Sequence, residues 1–208
     1  MIPIARILLA SCAAAIAGCA TVAADTDYRQ AALDLIRQDF RSAGPATVDR
    51  VAAQDEAQRL CSQYPAPARR PPEVAARIEA AQLAAVRQPA DGKYLGQWQE
   101  GEKIAQNGRG MQSSDAIGAV NGGNCYACHQ IGKKEISFGN IGPSLYQYGK
   151  LRGNSEEIVR YTWNKLYNAQ AYSACSNMPR FGHNGVLSDA QLKDVMALLL
   201  DPKSPVNE

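Results

Sequence analysis

The chain has 208 residues, with 22 basic and 20 acidic side chains and a formal net charge of +2. That balance provides no concentrated basic face for nucleic acid. A composition of 46% hydrophobic and 20% charged residues excludes a chain that is disordered throughout.

The first predicted element is an export signal over residues 1–24. Arg6 is the only charge before Asp25, and residues 7–17 form an apolar run as long as a secretory core but too short to span a membrane. Val22-Ala23-Ala24 places small residues where a signal peptidase cuts. A second pattern, Ile16-Ala17-Gly18-Cys19, resembles a bacterial lipobox and would make Cys19 a lipidated first residue. Either cleavage sends the protein to the periplasm, where disulfides form. Membrane attachment would follow only from lipidation of Cys19.

Composition changes near residue 90. Fifteen of the 17 glycines lie at Gly92 or later, which divides the mature chain into residues 25–90, a helical N-terminal extension, and a domain over 91–208. In the extension, Tyr28, Ala32, Leu35, Ile36 and Phe40 share one helical face. Residues 48–60 make a helix of weak amphipathicity, and Val74, Ile78, Ala81 and Ala85 form a second stripe. Pro65, Pro67, Pro71 and Pro72 interrupt the chain between them.

In the domain, residues 98–106 are predicted helical and residues 107–124 a glycine-rich loop. Residues 154–167 form a helix with Asn154 as its N-cap and Ile158, Tyr161, Thr162 and Leu166 facing inward. The last helix opens on a Ser188–Gln191 capping box. It carries Leu192, Val195, Met196, Leu199 and Leu200 at helical spacing and stops at Asp201-Pro202. No strand hairpin is evident, so the predicted class is all-α.

The chemistry lies in Cys125-Tyr126-Ala127-Cys128-His129. C-x-x-C-H is the attachment signature of c-type haem. Two cysteines at this spacing reach both vinyl groups as thioethers, and the histidine that follows supplies an imidazole to the iron. A thioredoxin-like dithiol would need a βαβ context, which is missing. A zinc site would need Cys61, Cys175 or His183 to complete four ligands. Of the six cysteines, Cys12 and Cys19 lie in the leader and Cys125 and Cys128 in the motif. Cys61 and Cys175 remain, and most simply pair in a disulfide.

For the sixth iron ligand the candidates are Met178, His183 and Met196. Met196 lies on the buried stripe of the last helix. Met178, in Asn177-Met178-Pro179, sits in a loop far enough past the motif to cross the ring, beside a rigid proline. A thioether is a soft donor that raises the reduction potential. Met111, before the motif, is a poorer candidate.

Ile141-Gly142-Pro143-Ser144-Leu145 resembles the proximal loop of class I cytochromes c, in which the proline carbonyl accepts the other imidazole N–H. That likeness gives Pro143 its predicted role. It also makes the predicted fold class I cytochrome c-like. Phe138, Ile141, Leu145 and Phe181 are expected in the apolar wall of the haem site.

From Gly92 to Asn207 the chain resembles SoxX, the monohaem subunit of the SoxAX thiosulfate-oxidising complex. The segments that carry the resemblance are residues 101–105 (GEKIA), 123–129 (GNCYACH), 138–145 (FGNIGPSL), 177–182 (NMPRFG) and the final helix. The resemblance implies one covalent haem c, with Cys125 and Cys128 as thioethers and His129 and Met178 as axial ligands. It implies the electron-transfer part of an L-cysteine S-thiosulfotransferase, which couples thiosulfate to a cysteine of the SoxYZ carrier. The substrate-handling cysteine then belongs to SoxA, the heterodimer partner, and a downstream cytochrome c takes the electrons. No residue here would be catalytic.

The shorter SoxX proteins lack an extension like 25–90. A Cys61–Cys175 disulfide would pin that extension beside the loop of Met178, either stiffening the loop or acting as a plain staple. Lys133-Lys134, directly after the motif, either steer an acidic partner or form a solvated face. Two other functions fit parts of the pattern: a freestanding periplasmic electron carrier, and a haem enzyme or gas sensor with an open iron site. Met178 opposes the latter.

Overall fold

The computed structural model describes residues 27–208. The expected leader, its two cleavage patterns, Cys12 and Cys19 lie outside the described residues. Among the described residues the architecture is all-helical, with eight α-helices, four short 3-10 turns and no strand. No helix among them is long and apolar enough to cross a membrane.

The described residues fall into two units, residues 27–40 and 41–208. In the first, helix α1 (Tyr28–Asp39) starts at Asp27, whose carboxylate accepts the Arg29 and Gln30 amides at 3.1 Å each. The expected stripe is present on α1, yet Tyr28, Leu35 and Phe40 are exposed and no residue of the helix is buried.

In the second unit the predicted helix over 48–60 is two helices, α2 (Asp49–Ala52) and α3 (Glu56–Gln63). Asp55 breaks it by capping α3: its carboxylate accepts the Gln58 amide at 2.8 Å, and the Gln58 side chain accepts the Asp55 amide at 2.9 Å. After a proline-led turn, α4 (Pro72–Ala84) begins with proline in its first turn, where the missing N–H costs nothing. Ala57, Leu60 and Ile78 form a small buried cluster with Cys61, Val74, Ala174 and Cys175.

Helices α5 (Trp98–Gln106) and α8 (Asp189–Leu200) make the main helix pair. They approach closely because Gly101 has no side chain: a Cβ there would lie 2.7 Å from the Asp194 carbonyl carbon. Between them in sequence lie α6 (Tyr148–Arg152) and α7 (Glu156–Tyr167). The N-cap of α7 is Ser155, whose hydroxyl accepts the Ile158 amide at 3.3 Å, and not Asn154. The Ser188–Gln191 capping box of α8 is formed. The C-terminal residues return to the end of α8. There Asn207 donates to the Leu199 and Asp201 carbonyls at 3.1 and 2.9 Å, satisfying groups a helix end leaves open.

The compositional change near residue 90 falls in a stretch tied to α7. Trp163 Nε1 donates to the Arg87 carbonyl (2.9 Å), Gln88 to Asn164 (2.9 Å), and Arg87 Nε to the Tyr167 hydroxyl (2.6 Å).

Candidate functional site

Residues 125–129 turn tightly. Asn124 adopts a left-handed conformation (φ 47°) and starts a 3-10 turn over Cys125–Ala127. The His129 amide donates to the Cys125 carbonyl at 2.9 Å. The turn is held to the end of α5 by Gly123 N to Ile104 O (2.8 Å) and Asn124 N to Asn107 O (3.0 Å). Neither Cys125 nor Cys128 is in a disulfide, which leaves both sulfurs for thioether bonds.

Residues 139–145 run back along the motif. Gly139 N donates to Tyr126 O, Gly142 N to Cys128 O and Leu145 N to Gln130 O, at 2.8, 2.8 and 2.7 Å. This brings the Pro143 carbonyl 2.7 Å from His129 Nδ1. A carbonyl only accepts, so Nδ1 carries the proton and Nε2 keeps its lone pair for a metal. The pair also fixes the plane of the ring. Gly142 lies against that ring, and a Cβ there would fall within 2.7 Å of three imidazole atoms.

Cys125, Cys128, His129, Pro143 and Met178 line one cleft of about 1520 Å³. That exceeds the roughly 300–1,000 Å³ of an ordinary small-molecule site. Its walls are mainly apolar, with Ile131, Leu145, Leu166, Phe181, Val195 and Leu198. Two thiols, an imidazole with a free Nε2 and a thioether around a large apolar slot are the donor set of a haem c, and the residues fit that group. Cys125 and Cys128 would hold it covalently, and His129 and Met178 would approach its iron.

The other sixth-ligand candidates lie elsewhere. Met196 is fully buried in the core, and neither it, His183 nor Met111 lines the cleft. His183 is held below its usual titration range by burial and by the Arg180 charge, against a smaller pull from Asp55. Met178 is half-buried against the main core, and its amide donates to the Ser176 hydroxyl at 3.2 Å. The zinc alternative loses its donors, because Cys61 and Cys175 are disulfide-bonded with Cα atoms 5.5 Å apart. Among the described residues no cluster of three His, Cys, Asp or Glu could bind a metal.

Leu145, Phe181 and Ile141 line the cleft, but Phe138 does not and is 44% exposed. Ordering of residues 139–145 along the motif leaves Phe138 on the outer side of that ladder. Sequence reasoning missed the cations on the cleft wall, Arg70, Arg152 and Lys165. No local signal marks them, since each reaches the cleft only through tertiary packing. It also missed the contact of Gly142 with the His129 ring, although the Gly-Pro pair was in view.

Comparison with known proteins agrees with this donor set. The sequence pattern of the Cytochrome c family matches residues 98–202. An uncharacterized lipoprotein of Aquifex aeolicus (strain VF5) is 36% identical over 164 residues, covering 76% of this chain and 75% of the relative. With its all-α, class I cytochrome c-like fold, the chain belongs to the cytochrome c family and binds haem c covalently.

Proposed function

We propose that the chain is the electron-accepting monohaem subunit of a SoxAX-type thiosulfate-oxidising complex. The haem supplies a one-electron ferric/ferrous couple. Cys125 and Cys128 fix it in the cleft as thioethers. His129 would give its Nε2 to the iron while Pro143 holds the ring, and Met178 would supply the second protein ligand. The apolar part of the lining would limit water at the iron, which favours the ferrous form. The thiosulfate-handling cysteine belongs to the partner. The two cysteines outside the haem motif in residues 41–208 are tied up in a disulfide. The lipoprotein relative supports export.

The observation that carries this reading is the segment Asn177-Met178-Pro179-Arg180-Phe181-Gly182, which together with the long loop before Cys125 resembles SoxX and whose methionine lies on the cleft. The test is purification from the native periplasm at natural expression. A larger haem protein with a reactive cysteine is expected to co-purify in fixed ratio. A chain that runs alone through a salt wash rejects the subunit role.

One observation favours the freestanding carrier. In residues 55–90, Ala57, Leu60 and Ile78 bury against one another and against Ala174 and Cys175 of the same chain, so this apolar face is covered without a partner.

Axial ligation has its own test. Met178→Ala is expected to lose the methionine-to-iron charge-transfer band of the ferric protein. The reduction potential should fall by a sizeable part of the ~0.8 V range that axial ligands span. An unchanged band removes Met178 from the iron.

A further inference from the structure

The loop that carries Met178 is held mainly by residues outside the family-matched segment. Among the described residues, the disulfide and the hydrogen bonds that leave Ser173–Pro179 run to the 61–79 stretch, while Met178 itself packs on the main core. Cys175 is disulfide-bonded to Cys61, the Ala174 amide donates to Glu79 at 2.9 Å, and Arg70 donates to the Ala174 carbonyl at 3.3 Å. Just beyond Met178, the Arg180 side chain is 6% exposed. It pairs with Asp55 at 2.7 Å and donates to the Gln82 side-chain oxygen at 2.9 Å. Gln82 is fixed in turn, because Asn168 donates to the same oxygen at 2.9 Å.

We propose that residues 55–82 are a brace for the sixth ligand, with the Asp55–Arg180 ion pair and the Cys61–Cys175 disulfide bracketing Met178 and setting how long its sulfur stays on the ferric iron. This rests on Met178 being the ligand. The physical reason is that a thioether is a soft donor and binds hard ferric iron weakly. Its residence there depends on the loop having nowhere else to go. The anchors lie three residues before and two after Met178, too close for the intervening chain to swing away while both hold. A guanidinium buried to this degree must keep its carboxylate partner, so the Arg180 anchor does not release piecemeal. Both anchors start from α3 and its cap, and Cys61 and Ser62 of α3 and Ala75 and Glu79 of α4 line the cleft themselves, so the brace borders the haem site as well as holding the loop.

The test uses the full-length ferric holoprotein and imidazole, which competes with Met178 for the iron. Its apparent affinity scales with the fraction of time the iron is open. Three changes are compared. Asp55→Asn keeps a helix cap but removes the charge. Cys61→Ser with Cys175→Ser removes the covalent anchor. Asp91→Asn breaks the Lys193–Asp91 pair (2.8 Å), which lies away from the loop.

Imidazole is expected to bind about tenfold tighter, or more, to the first two, on the population-shift arithmetic of a loosened loop. The Asp91 variant should match the wild type, and Asp55→Glu should recover most of the loss. Helical circular dichroism at the assay temperature confirms that each variant is folded. Affinities within twofold of wild type in both brace variants overturn the proposal, as does an equal rise in Asp91→Asn, which would mark a general stability effect. Failure of the ligand assignment reads differently, because the wild type would then lack the methionine-to-iron band.

Discussion

Gly142→Ala is expected to disrupt histidine ligation while leaving the helical fold intact. The added Cβ would fall within 2.7 Å of three ring atoms of His129. Real Cβ atoms do not approach that closely, so something must move. If the ring turns, it loses the 2.7 Å bond from Nδ1 to the Pro143 carbonyl and with it the aim of Nε2. If the loop lifts instead, Gly142 N to Cys128 O and Leu145 N to Gln130 O, at 2.8 and 2.7 Å, lengthen together. Overpacking of this kind costs about 1–3 kcal/mol. Either way the iron–imidazole geometry is lost.

The expected signs are a low yield of haem-loaded protein and a ferric spectrum with a high-spin component. Gly153→Ala is the control. Gly153 has φ 76° with nothing within 4 Å of an added Cβ. That change strains the backbone by about 1–3 kcal/mol, yet should leave the haem spectrum alone. A fully low-spin Gly142→Ala protein at the wild-type potential would show that the ring does not depend on this contact.

Part of this site is legible in the sequence because part of it is local. The C-x-x-C-H spacing needs only one turn of chain, and Pro143 is reached by a short return. The same holds for helix starts that satisfy their own amides, as at Ser188–Gln191. Asp55–Gln58 makes the same kind of box, and its spacing is readable, but it lies inside a run with helical composition. The run reads as one helix where the cap makes two. The Asn154 and Ser155 pair offers two good caps side by side, and the choice between them rests on which side chain reaches Ile158.

What stays hidden is non-local. Arg180 and Asp55 are far apart in the chain, and nothing near either marks the other. Helix α6 has only five residues and begins at Gln147 in a left-handed conformation (φ 56°), so it leaves no periodic trace. Phe138 looks like a wall residue by type and place, yet the register of residues 139–145 along the motif turns it outward.

The largest stability effect is expected at a residue outside the inward-facing set read for its helix. Trp163 is fully buried on α7. Its ring meets Tyr94 edge-on at 5.6 Å and stacks near Tyr167 at 6.4 Å, and its Nε1 holds the Arg87 carbonyl at 2.9 Å. One side chain thus joins α7 to the stretch that leads from the brace into the haem domain. Trp163→Ala opens a cavity worth about 3–5 kcal/mol and leaves the Arg87 carbonyl without its donor, a further cost of about 1 kcal/mol. At roughly 2–4 °C per kcal/mol for a chain of this size, the thermal midpoint should fall by about 10–20 °C.

Trp163→Phe keeps much of the packing and loses the hydrogen bond, so a much smaller drop is expected. Trp163 does not line the cleft, so below the transition the haem bands of both variants should match the wild type. A haem spectrum altered in the folded Trp163 variants would mean that packing behind α7 reaches the iron. An unaltered one would show that packing behind α7 sets the stability of the domain without setting the ligation of the iron.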